Sequence, residues 1–245
     1  MNNISEHAPS PTDNDKYVSC ENCAMNPVCQ PVLSQHKSIS LMDHYLNKRI
    51  AIKTGEKLFD KDETLSSIYA VCSGSFKRCK TNDNSDNNIL GFRFSGELLG
   101  EDAIFHKKYN YRVIALEDSA ICKVSVDELL NCSTIVPQLQ SQLIELLSQQ
   151  SHVNQQEFNC LVAKRSAESL VASFLLNIME RNRQNTKQTN VISLAMSRDN
   201  LANFLGLRRE TLSRILSKLQ KNELITISGK SIKINNIDKL ALLAE

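Results

Sequence analysis

The chain has 245 residues, 41% of them apolar and 23% charged, with a formal net charge of +2; this is enough apolar material for two globular domains, each with its own core. No apolar run approaches the roughly 20 residues of a membrane span, and the polar opening Met1 to Lys16 lacks the basic-then-apolar layout of a secretion signal. A cytoplasmic protein with no membrane partner is therefore expected. The charge is unevenly spread: from Ala163 onward there are 14 Lys and Arg against 7 Asp and Glu, whereas the preceding residues carry 15 against 20. A basic C-terminal third on a mildly acidic body predicts that only that end meets a polyanion.

In chain order, residues 1–16 have too little apolar content to fold alone and read as a flexible arm. Cys20-x2-Cys23-x5-Cys29 follows, three of the eight cysteines within one short loop. In a reducing compartment such a group points to metal ligation or sensing rather than disulfides. A fourth ligand has to come from elsewhere. Spacing alone leaves an iron-sulfur cluster and a zinc site equally open, since His36 and His44 lie nearby, with a reactive dithiol as third alternative.

From about Tyr45 to Val126 short alternating stretches (Ile68 to Val71, Ile89 to Phe94, Arg112 to Ala115, Ala120 to Val124) are separated by turn signals such as Thr54-Gly55, Ser73-Gly74 and Ser95-Gly96. That spacing predicts an antiparallel β-roll or barrel. A long helix is expected next, Ser133 to about Lys164, with Pro137 in its first turn. Its heptads place Val136, Leu143, Gln150 and Glu157 at one seam position and Leu139, Leu146, Val153 and Cys160 at the other. A helix packed on its own domain is the competing reading. The preferred one is a weak dimer seam, in which Gln150 and above all Glu157 oppose pairing of two subunits.

A second helix, Arg165 to Met179, carries one apolar stripe (Leu170, Val171, Phe174, Leu175, Ile178, Met179) and reads as core. Beyond the polar loop Asn182 to Asn190, Ser197 is suited to cap a short helix ending near Leu205, Gly206 supplies a turn, and a further helix runs from about Arg208 to Gln220. In it Leu212, Ile215, Leu216 and Leu219 form the buried stripe opposite Arg208, Arg209, Glu210, Ser213, Arg214, Ser217 and Lys218. Such a helix fits the major groove of double-stranded DNA. Glu210, Ser213 and Arg214 share one face, where Glu accepts from cytosine N4 and Arg pairs with guanine O6 and N7. A surface Glu-Arg pair adding about 0.3–0.5 kcal/mol to the helix is the plainer alternative. Leu224 to Ile227 and Ile232 to Ile234, joined through Gly229-Lys230, read as a β-hairpin wing with Lys230 and Lys233 near phosphate.

The stretch Asn200 to Arg214 (NLANFLGLRRETLSR) resembles the signature of the CRP/FNR regulator superfamily, and its Glu-x-x-Ser-Arg version resembles the FNR branch. The order of roll, long helix and winged helix agrees over about residues 35–245. The resemblance implies an α+β chain with a ligand loop in residues 1–34, a cyclic-nucleotide-binding-like β-roll in 35–132, a dimerisation helix in 133–162 and a winged helix-turn-helix in 163–245. It further implies an oxygen-sensing homodimer controlling genes of anaerobic metabolism, palindromic TTGAT-type sites, RNA polymerase as a partner, and a 4Fe-4S cluster on Cys20, Cys23, Cys29 and Cys122. The other cysteines (Cys72, Cys79, Cys132, Cys160) are then expected to be buried small hydrophobes.

Two rivals differ in specific residues. A cyclic-nucleotide sensor shares the roll, and Gly96-Glu97-Leu98 resembles the start of its phosphate cassette, but Val113 and Ile114 follow Arg112 where phosphate needs small neighbours. An electron-transfer or thiol-redox enzyme has no use for Glu210, Ser213 and Arg214. No G-x-S-x-G, P-loop or H-E-x-x-H occurs, so hydrolase and nucleotide-triphosphatase readings lack support.

Overall fold

The computed structural model describes residue 23 and residues 48–82, 85–135, 137–162, 166–185 and 190–244. Two compact units emerge, one of residues 1–81 and 92–150, the other of residues 82–91 and 151–245.

The roll strands form two four-stranded antiparallel sheets. One has the order β1 (Lys48–Ile52), β8 (Ser119–Ser125), β3 (Ser67–Ser73), β6 (Leu98–Leu99); the other β2 (Lys57–Phe59), β7 (Arg112–Ala115), β4 (Ser75–Asn82), β5 (Ser85–Phe94). Their inner faces share a core in which Ile52, Tyr69, Val71 and Ile121 meet Phe59, Phe76, Val113 and Ala115. Phe59 and Tyr109 stack with ring centroids 3.9 Å apart. Every residue of β3 is buried, because both of its faces are covered. Tyr69 and Val71 point to the inner core, while Ile68 and Ala70 point outward to Val126 and Leu129 of α2 (Val126–Ile135) and Leu146 of α3 (Pro137–Val162). A short helix, α1 (Ala103–His106), adds Ala103 to the inner core. At the β3–β4 turn, where the chain passes from one sheet to the other, Gly74 has φ +85° and a Cβ would run into Ser119, so the turn admits only glycine.

The second unit is built on α4 (Ala167–Asn185), whose stripe Val171, Phe174, Leu175, Ile178 and Met179 is buried as its periodicity predicts. It packs on α6 (Arg209–Lys221) and α7 (Ile237–Ala244), while α5 (Arg198–Phe204) contributes Phe204 against Phe174 at 5.7 Å. The wing strands β10 (Ile225–Ser228) and β11 (Ser231–Ile234) pair, and β9 (Val191–Ser193) adds a third strand beside β11.

The long helix corrects one expectation. Pro137 opens α3 at its first position, where its missing N–H costs nothing, but α2 already precedes it. Several of the predicted seam residues pack within the chain itself. Leu146 is buried and Leu143 packs on the same cluster of the roll; Gln150 and Glu157 are buried, and Val153 half-buried. Glu157 Oε1 lies 3.6 Å from Arg181 Nη1 of the same chain, so it is an internal partner and not a repulsive seam charge. Val136 lies outside the described residues, and the side chains of Leu139 and Cys160 are likewise outside them. The apolar stripe left exposed is one residue further on: Ile144 (70%), Leu147 (37%) and Phe158 (61%). Both stripes have heptad-compatible spacing, and packing on the chain's own core has claimed the first.

Candidate nucleic-acid interface and metal centre

The helix-turn-helix forms as its local chemistry dictates. Ser197 caps α5, its hydroxyl accepting from Asn200 N at 3.1 Å, which satisfies one of the free N–H groups of the first turn. Gly206 turns the chain at φ +64°. In α6 Leu212, Leu216 and Leu219 are buried and Ile215 half-buried, with Glu210 in the first turn and Lys218 and Lys221 in the last, as the helix dipole favours. Arg208, Arg209, Glu210, Ser213 and Arg214 are all exposed on this helix or its cap.

Two ion pairs brace the reading helix. Arg209 Nη1 lies 3.3 Å from Asp199 Oδ2 of α5, and Lys218 Nζ donates to Glu168 Oε2 of α4 at 2.6 Å. Lys218 is therefore turned towards α4 and not towards a groove. Beside α5 lies a cleft of about 310 Å³ rimmed by Ser197, Arg198, Gly229 and Lys230 over Leu194, Met196 and Ile232. Arg198 was missed by periodicity because it belongs to no stripe; its signal is the Ser-Arg pair opening the helix. Burial pulls its guanidinium pKa down, as expected of a cation held partly out of water.

The thiol site is built on the outer face of the first sheet. In β8, Cys122 is registered against Ala70 of β3 and Arg49 of β1. It shares that face with Val124 and packs against the cluster of Ile68, Ala70, Leu98, Leu129 and Leu146. Cys23, from the N-terminal cysteine group, packs against the same cluster. Both are half-buried. Sulfur donors from two distant stretches that pack against one cluster are of the type an iron-sulfur cluster or zinc takes. Cys20 and Cys29 lie outside the described residues, and no group of three or more metal-binding side chains occurs among the described ones. Cys72 and Cys79 are buried as expected; the side chain of Cys132 is not among those described.

Apolar side chains from both sheets meet in the roll's interior. Arg112 donates from Nε and Nη2 to the two carboxylate oxygens of Asp60 at 2.9 and 3.0 Å. This bidentate pair holds Asp60 well below the usual carboxylate range, at about 2. Glu97 turns back on the β5–β6 turn, accepting from Phe94 N at 3.1 Å. Arg93 and Glu101 are buried, and desolvation pushes the Glu101 carboxyl up against the opposing pull of Arg93. Among the described residues no helix is long and apolar enough to cross a membrane.

Residues 49–134 match the family of cyclic nucleotide-binding domains and residues 171–243 that of Crp-like helix-turn-helix domains. The chain is 32% identical over 227 residues to the fumarate and nitrate reduction regulatory protein of Yersinia pestis, covering 93% of this chain and 90% of that one. To the regulatory protein HlyX of Actinobacillus pleuropneumoniae it is 33% identical over 226 residues, covering 92% and 93%. FixK2 from Bradyrhizobium japonicum shares the fold with a TM-score of 0.71 at 23% identity, over 80% of this chain and 96% of that one. A CRP-family transcriptional regulator from Thermus thermophilus does so with 0.62 at 16%, over 79% and 95%.

Proposed function

Because this chain belongs to the FNR-type branch of the CRP/FNR family, whose members are transcription regulators and not enzymes, we propose that it is a cytoplasmic oxygen sensor acting as a homodimer on palindromic DNA. It controls genes of anaerobic metabolism and holds a 4Fe-4S cluster on Cys20, Cys23, Cys29 and Cys122. The observation that carries this reading is that Cys23 and Cys122 pack on one apolar cluster together with Leu146 of the long helix.

Bound there, the cluster supplies an oxygen-labile cross-link between the N-terminal cysteine group and β8. The chain's own residues do the rest. Cys122 sits on a strand paired on both sides, so it is a fixed anchor. Ordering the N-terminal ligands against that anchor adds surface to the packing of Leu143 and Leu146, since metal-binding free energy is also folding free energy. The same helix then presents Ile144, Leu147 and Phe158 to a partner subunit. A differential of a few kcal/mol between loaded and unloaded states is enough for a useful switch.

On DNA, Glu210, Ser213 and Arg214 read base edges, while Arg208, Arg209, Ser197, Lys230 and the half-buried Arg198 meet the backbone. Two such units enter successive major grooves of a two-fold symmetric TTGAT-type site, with RNA polymerase as the further partner. The engagement of Arg112 by Asp60 supports a roll that takes no cyclic nucleotide, despite its domain family. The deciding experiment is anaerobic purification with iron and sulfide analysis, and operator binding before and after air. Iron, acid-labile sulfide and air-sensitive operator binding are expected, all lost in Cys122→Ser. Zinc in place of iron, or a rise in operator affinity on titration with cyclic nucleotide, overturns the reading.

A further inference from the structure

The ion pair between α3 and α4 has a geometry that most charged pairs among the described residues lack. Glu157 and Arg181 have side chains only 7% and 4% exposed, with Oε1 and Nη1 3.6 Å apart. Arg181 Nη1 also lies 3.5 Å from Asn177 Oδ1. By contrast, the pairs Lys53–Asp118 and Arg209–Asp199 are each more than half exposed on both sides. Exposed pairs tolerate many side-chain placements, whereas a desolvated pair is tolerated only in one good geometry.

That requirement fixes a rotation. Successive residues of a helix are about 100° apart around its axis. Turning α3 by one residue would swing Glu157 away and bring Gln156 or Phe158 to Arg181. With Glu157 held inward, Phe158 is 61% exposed. On the other side, Arg181 belongs to the helix on which the reading helix α6 rests, and Lys218 of α6 is tied to Glu168 of α4. One buried contact therefore lies between the outward face of α3 and the brace of the reading helix.

We propose that the buried Glu157–Arg181 pair is a positioning device that locks the rotational phase of α3 against α4 and so sets the half-site separation the dimer accepts. This rests on the functional reading above, since it presupposes a dimer on a palindrome. A merely structural pair would alter stability while leaving the choice of separation intact.

The test uses the full-length protein, loaded anaerobically, on operators whose half-site separation is stepped one base pair at a time, and on a single half-site. Wild type is expected to favour one separation by about tenfold or more over its neighbours. In E157L/R181M both charges are removed together, so the unfolding midpoint in urea stays near wild type. Its separation preference is expected to fall below about threefold, with half-site affinity unchanged. E157Q, which keeps the side chain's size, is the second variant and is expected to show the same flattening. E157R/R181E is expected to restore part of the preference. Retention of the wild-type preference in both E157L/R181M and E157Q overturns the proposal, as does an equal loss on half-site and palindrome. A wild-type protein indifferent to half-site separation overturns the functional reading itself and the proposal with it.

Discussion

The reading helix α6 and the long helix α3 carry the same kind of pattern and differ in how many neighbours they serve. In α6 one apolar stripe (Leu212, Leu216, Leu219) is buried and the opposite face is polar and exposed. In α3 two stripes run side by side. One, from Leu143 and Leu146 to Glu157, is turned to the chain itself; the other, Ile144, Leu147 and Phe158, is left in solvent. A helix with a single neighbour announces its buried face by periodicity. One that serves its own chain and a second surface has too many apolar positions for periodicity to rank them. Polar residues then mislead as well, because Gln150 and Glu157 are buried while Ile144 and Phe158 are not.

The difference can be broken experimentally, beginning with the inner stripe. Glu157→Leu alone leaves the Arg181 charge buried without its acid, and an unfolding loss of about 3–5 kcal/mol is expected in urea. If the loss stays below about 1 kcal/mol, Glu157 is not an internal partner. Leu146→Ala opens a cavity in the roll cluster and should cost about 2–5 kcal/mol by thermal unfolding. Ile144→Ala, two residues away but exposed, should change subunit stability by under about 0.5 kcal/mol while raising the dimer dissociation constant in sedimentation. Equal effects from the two would erase the distinction between the stripes.

In α6 the contrast lies between reading and holding. Arg214→Ala should cost about 1–3 kcal/mol on the specific site and relax choice at one guanine, whereas Lys230→Ala should weaken specific and random DNA alike. Away from the DNA-facing residues, Ser197→Ala should cost about 1 kcal/mol of stability through the lost cap on α5. Ser197→Asp, which supplies another capping oxygen, should show no such loss in the same unfolding measurement.

Legibility followed the reach of the signal. The capped, Gly206-turned helix pair and the wing were readable because Ser197, Gly206 and the Leu212 stripe act within a few residues of themselves. The roll strands were readable for the same reason. β9, only three residues long, pairs with β11 far down the chain, and no local pattern demands it. Arg181 sits at the end of a stripe otherwise read as apolar core, so its pairing with Glu157 depends on two helices meeting. Cys23 and Cys122 pack against the same apolar cluster through sheet register and helix cover, which spacing alone does not encode. Cys122 was reached through family resemblance, and the packing of both thiols on one cluster supports that choice.

The separation of Leu146 from Glu157 has a further consequence. Eleven residues make very nearly three turns, so the two lie on one side of the same rod. The stretch between them therefore acts as a gauge block whose length is quantised. Inserting one residue would turn everything beyond it by about 100° and aim Glu157 at water, whereas seven residues would nearly restore its heading and merely lengthen the rod by about 10 Å. Helical phase therefore constrains the length of this segment in a way that it does not constrain a loop.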